Sequence, residues 1–115
     1  MTVRLNRKAL SHAQALVSRG RTTHDRRDDW SDHAPTTDEE NEYIEQHGWR
    51  DYGLWHLGVD EDKSEETKGR YSFPYGDFTE VHRCAVIALE GRAAQNDHAD
   101  IARATKRLLN AIDDE

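Results

Sequence analysis

Nineteen Leu, Ile, Val and Phe residues must supply nearly all the aliphatic core of this 115-residue chain. That share falls below the one-fifth level at which a chain begins to read as disordered. Whatever folds here must therefore gather its apolar side chains on a few faces. Three Trp and four Tyr offset part of the shortage, because each ring buries a large area, and they fall mainly between Trp30 and Phe78, where aliphatic residues are sparse. The length suits one domain able to bury roughly two-thirds of the surface its unfolded form exposes.

Helical periodicity is clearest in the last third. Val81, Cys84, Ala85, Ala88 and Leu89 recur at i, i+3, i+4, i+7 and i+8, and Asp77 with Glu80 has capping-box spacing, so a helix is expected from that cap to near Gly91. Beyond the polar break at 95–98, Ile101, Ala104, Thr105, Leu108, Leu109 and Ile112 predict a second amphipathic helix. Near the start, Leu5, Ala9, His12, Ala13, Leu16 and Val17 share one face of a helix over 7–19, capped by Asn6 and closed by Gly20. Thr37 with Glu40 predicts a capping box opening a short helix over 38–47, stopped by Gly48.

Apolar residues alternate over 55–59 and again at Tyr71, Phe73 and Tyr75, predicting two short strands joined as a hairpin across the acidic loop 60–66. Pro74 lacks an amide proton, which puts the second strand at a sheet edge. Residues 21–35 carry no period and read as an extended connection anchored by Trp30. The expected fold class is a small, mostly helical α+β domain with an N-terminal amphipathic helix, a short β-hairpin and two C-terminal antiparallel helices. Residues 1–36 form the basic helix and polar connection, and 37–115 the compact α+β part.

Charge is distributed unevenly. Residues 1–27 carry seven bases and one acid, 28–66 two bases and fourteen acids, and 67–115 seven bases and eight acids, for a net charge of −7. The acidic total argues against broad nucleic-acid binding. A single cysteine, Cys84, excludes an internal disulfide framework, and no apolar run is long enough to span a membrane or to act as a signal peptide. A cytoplasmic protein with no membrane partner is the expectation.

His82, Cys84 and His98 form the one grouping that suggests a metal or an activated thiolate. On a helix, positions i and i+2 point about 200° apart, so His82 and Cys84 would not share an ion; on an extended segment they would share a face. The same geometry opposes a Cys/His nucleophile pair, and neither a catalytic residue nor a cofactor is expected. The seven His lack the i, i+4 spacing or paired Cys of a specific zinc motif, the paired acids lie in polar runs that read as solvated loops, and no Gly-rich phosphate loop, nucleophile elbow or calcium loop is present.

Binding residues are read from the cations. Arg4, Arg7, Lys8 and Arg19 lie outside the apolar stripe of the first helix, and Lys68, Arg70 and Arg83 flank the hairpin, interleaved with Tyr71. Such a surface suits an acidic protein partner or a single-stranded nucleic acid. The plainer alternative is that the aromatics are core and the bases pair with the acidic belt. A non-enzymatic protein-interaction module is favoured, with a nucleic-acid-associated protein as the alternative and a metal- or thiol-dependent enzyme behind both.

Gly48-Trp49, the segments 52–60 and 66–77, with Lys68-x-x-Tyr71-x-x-Pro74 inside the second, and Val81-His82-Arg83-Cys84 resemble a group of small bacterial proteins. More loosely they resemble modules attached to phage head-maturation (prohead) proteases. The likeness covers about two-thirds of the chain, is strongest over 68–92, and includes nothing of the protease domain. It implies a shared small domain, used as a stand-alone accessory or interaction module of phage ancestry, rather than an activity.

Overall fold

The computed structural model describes residues 3–26 and 29–114. Among these residues the strands and α-helices are, in order, β1 (Val3–Leu5), α1 (Arg7–Ser18), β2 (Thr22–Thr23), α2 (Trp30–His33), α3 (Thr37–Gly53), β3 (His56–Asp60), β4 (Tyr71–Pro74), β5 (Val81–His82), α4 (Arg83–Gln95) and α5 (Ala99–Asp113), with one 3-10 turn, Lys68–Arg70, before β4. The architecture is the mostly helical α+β arrangement expected from the periodicities. One sheet has the order β1-β3-β4, and β2 pairs with β5 in a second, parallel pair.

Local chemistry explains most of the boundaries. Asn6 Oδ1 accepts from Ala9 N at the start of α1, and Gly20, at φ 74°, closes its end. The β3–β4 hairpin is antiparallel, with His56 opposite Pro74 and Val59 opposite Tyr71. Pro74 ends the outer strand β4, where a missing amide donor costs nothing. A third strand, β1, joins the other side of β3; its three residues are too few to show a period.

Three expectations shift. The capping box forms at Thr36 and Glu39, one residue before the expected pair, because Glu40 is engaged by Lys68 Nζ at 3.3 Å and by the Tyr52 hydroxyl at 3.4 Å. Gly48, at φ 87° and ψ 169°, breaks the helix as expected, but a second helical stretch resumes and runs to Gly53. The helix expected from Asp77 starts instead at Arg83. Asp77 Oδ1 does accept from Thr79 N and Glu80 N, but Phe78 has φ 71°, which a right-handed helix does not allow. The Val81 and His82 amides are committed to Arg21 O and Tyr75 O, which makes residues 81–82 a strand.

The core joins α1 to the C-terminal helices. Ala9 and Ala13 are fully buried, so α1 approaches closely, and they share one apolar cluster with Ile101, Leu108 and Ile112 of α5 and Val86, Leu89 and Ala93 of α4. On the other side lies a wall of rings. Trp55 stacks on Tyr75 with centroids 5.4 Å apart, Tyr43 stacks on Phe78 at 4.3 Å, and Trp55 Nε1 donates to the Tyr43 hydroxyl. Between Val17 and Tyr52 no apolar side chain is fully buried among the described residues, so the connection 21–35 adds little to this core. No helix among the described residues is long and apolar enough to cross a membrane.

Two glycines test this packing in opposite directions. A Cβ at Gly76 would strike the Glu80 carbonyl and the Trp55 indole, whereas one at Gly91, inside α4, meets nothing within 4 Å. Gly91→Ala is expected to raise stability by about 0.5–1 kcal/mol and Gly76→Ala to lower it, as read by urea unfolding. His56 gives a pH test. Its ring is 4% exposed, its Nδ1 donates to Tyr52 O at 2.9 Å, and burial pushes its pKa down to about 4. The unfolded imidazole takes a proton near pH 6.5 and the folded one resists until about pH 4, so stability is lost as pH falls through that window, by on the order of 3 kcal/mol. His56→Asn should flatten that part of the stability–pH curve relative to the parent.

Candidate functional site

Four titratable side chains from three separate stretches converge beside β5. Asp25, in the connection after β2, places Oδ2 2.7 Å from His82 Nδ1 and 2.8 Å from His33 Nδ1, while Oδ1 accepts from Cys84 N at 2.7 Å. The Cys84 sulfur lies within 4.8 Å of this carboxylate and of both imidazoles. The parallel pairing of Thr23 with His82 sets the register that brings Asp25 to them. His82 is extended, at φ −104° and ψ 123°, and Cys84 lies in the first turn of α4, with a ligand atom of each within 4.8 Å of the other. The helical geometry that would have separated them does not apply, because the helix begins one residue after His82.

The electrostatics are those of a buried ion pair. Burial opposes ionisation of Asp25, but hydrogen bonds from the Cys84 thiol and amide and from both imidazoles outweigh it and hold the carboxyl well below the usual carboxylate range. Burial likewise opposes protonation of His82, and the carboxylates of Asp77 and Asp25, one against each ring nitrogen, overcome it and raise its pKa. For Asp77, burial is outweighed by the Glu80 amide, His82 and the Thr79 amide, and its pKa is lowered. Asp77 Oδ2 lies 2.9 Å from His82 Nε2 but off the line of the ring N–H, so Nε2 makes a charge contact without an aligned hydrogen bond.

This arrangement is unsuited to a nucleophile. The Cys84 thiol faces a carboxylate rather than an imidazole nitrogen, and both His82 nitrogens face acids, so no base is placed to take the thiol proton. Burial, then the Asp25 hydrogen bond and charge, push the thiol up to about 12. A hollow of about 860 Å³ between Trp30, Ser31 and the Ile87–Gln95 face of α4 includes none of the four residues in its lining. What the four donors can do together is hold a proton network or a cation. His98 stands apart from them: it caps α5, and its ring lies edge-on to Phe73 at 5.6 Å.

The predicted binding cations separate into two sets. Lys68 pairs with Glu40 at 3.3 Å and Arg83 with Asp113 at 2.7 Å. Arg19 lies at the far end of α1, a 12-residue helix about 18 Å long. Tyr71 is half-buried against Tyr52 and His56, with the Arg70 guanidinium 5.9 Å from its ring centre. Arg4, Arg7, Lys8 and Arg70 surround one shallow depression of about 550 Å³ that also takes in Leu5, Val59, Glu61 and Asp100; there Arg4 pairs with Glu61 at 3.7 Å across exposed surface, and Arg70 donates to Lys63 O at 2.7 Å. An adjoining hollow, sharing Leu5, Arg7 and Asp100, adds Arg103 and Arg107 of α5.

Sequence reading missed Arg103 and Arg107 because they lie on the polar face of a helix noticed for its apolar one. It missed Asp25 and His33 because residues 21–35 have no period; the surviving signal was that Asp25 is the lone acid in the first 27 residues. No protein-family model, curated protein or solved structure matches the chain. Cys84, 1% exposed beside an ionised carboxylate, should react with a thiol-specific disulfide reagent only as fast as unfolding exposes it. Burst labelling of the native protein would contradict that geometry.

Proposed function

We propose that this protein is a small non-enzymatic interaction module whose recognition surface is the basic depression of Arg4, Arg7, Lys8, Arg70, Arg103 and Arg107, and whose partner is a protein presenting an acidic segment. The observation that carries the reading is the convergence of those six cations, from β1, α1, the turn before β4 and α5, around two acids, Glu61 and Asp100. This is a local excess of positive charge on a chain with net charge −7. Complementary potentials of this kind steer encounter and set register. The resemblance to phage-associated modules agrees with an accessory role.

A protein partner is favoured over a nucleic acid for two reasons. The depression is floored by Leu5 and Val59 and offers no aromatic face on which a base could stack. A long polyanion would also meet the acidic remainder of the chain, whereas a short acidic segment meets only the patch.

Fluorescence anisotropy with an Asp/Glu-rich peptide and a single-stranded oligonucleotide of equal charge tests the reading. The peptide should bind more tightly, and Arg7→Glu with Arg103→Glu should weaken it at least about tenfold, roughly 1.4 kcal/mol. Tighter oligonucleotide binding, with a steep salt dependence, would transfer the surface to nucleic acid. Peptide binding unaffected by the reversals would remove the surface altogether.

A further inference from the structure

We propose that Asp25, His33, His82 and Cys84 form a closed four-ligand site for a divalent transition metal, with Zn²⁺ the best fit, and that this ion pins the polar connection 21–35 to the domain. One ligand atom from each residue lies within 4.8 Å of the others. Two imidazoles, a thiolate and a carboxylate make a borderline-soft donor set, and four protein donors fill a tetrahedral shell, as in structural rather than catalytic zinc sites. Bond lengths of about 2.0–2.3 Å place tetrahedral ligands roughly 3.3–3.8 Å apart. The shorter 2.7 and 2.8 Å contacts of Asp25 Oδ2 with the two imidazoles open slightly and the longer separations close, shifts within reach of side-chain rotation.

Direction distinguishes this group from an ordinary buried salt bridge. Both imidazole Nδ1 atoms already aim at one carboxylate, and the Cys84 sulfur lies within 4.8 Å of all three, so the four donors surround a common point. On binding, the ion takes the place of the protons now held between them: the thiol proton leaves to solvent, and each imidazole frees Nδ1 while keeping one proton on Nε2, an imidazolium by releasing its Nδ1 proton to solvent and a neutral ring by exchanging its Nδ1 proton for one on Nε2. His82 Nε2 is a second, independent indication. Its side chain is 8% exposed, the atom has no aligned hydrogen bond, and Asp77 Oδ2 stands 2.9 Å away, itself held by the Thr79 and Glu80 amides. A carboxylate behind the distal nitrogen of a ligating imidazole is the usual outer partner that orients such a ligand.

Placement supplies the reason for an ion here. The described residues of the connection include no fully buried apolar side chain, and its Trp30 is only half-buried, its ring 5.7 Å from that of His82. Small domains short of apolar residues commonly add a metal or disulfides for stability, and this chain has one cysteine. His33, with a side chain 40% exposed, offers the route in.

The test is titration of the full chain, stripped with a chelator, with Zn²⁺ and separately with Co²⁺. One equivalent of Zn²⁺ is expected to bind with sub-micromolar affinity and raise the melting temperature. Co²⁺ is expected to give a tetrahedral spectrum with a thiolate-to-metal charge-transfer band, which in a single-cysteine chain must come from Cys84. Because His33 is partly exposed, His33→Ala should remain folded in chelator while its zinc affinity drops more than about tenfold; Asp77→Asn should lower it by about tenfold. Absence of stoichiometric binding, a cobalt spectrum lacking the thiolate band, or His33→Ala binding zinc as well as the parent would each overturn the site.

Discussion

The carboxylate of Asp25 is the interaction on which the rest of the arrangement depends. An ionised group with a side chain 4% exposed would be costly by several kcal/mol if left alone. Here it takes the Cys84 amide and two imidazole N–H groups, with the Cys84 sulfur close by. Those donors come from α2, β5 and the first turn of α4, so one side chain fixes where the connection runs, where α2 docks and where α4 starts. The parallel pairing of β2 with β5, only two residues long, would be marginal by itself. It holds its register because the carboxylate two residues beyond it is already committed.

Scarcity of aliphatic residues gives that polar group its importance. The chain spends its Leu, Ile and Val on the seam between α1, α4 and α5 and covers the hairpin with rings. Those rings are themselves tied by polar handles: the Tyr75 hydroxyl donates to Leu54 O and meets His12 Nδ1, each at 2.7 Å. Nothing apolar remains for residues 21–35, and a charged cluster serves there instead. Long basic side chains gather elsewhere, around the start of α1 and on α5.

Elements with several turns or a clean alternation were legible in the sequence. α1 and α5 carry enough repeats for a stripe to emerge, and the β3–β4 hairpin is marked by its alternation and by Pro74. Elements decided by tertiary contacts were not. β1, β2 and α2 have two to four residues each, too few for any period. The Thr36/Thr37 choice turned on what else Glu40 touches, and the start of α4 on strand partners more than fifty residues away. The site followed the same division. His82 and Cys84 were noticed as a pair, and only the assumed helix separated them. Asp25 and His33 sit in the segment where pattern is silent, and His98, close in composition to a ligand, belongs to a different corner of the fold.

If one buried carboxylate organises this region, its partners must be energetically coupled and not merely adjacent. The most direct measurement is a double-mutant cycle on Asp25→Asn and His82→Gln, read by urea unfolding at neutral pH with chelator present so that no ion contributes. The account expects a coupling of about 2 kcal/mol or more between the two positions, at the upper end of what contacting residues show. Additivity within about 0.5 kcal/mol would contradict it, and would mean that the connection is held in place by contacts other than this ion pair.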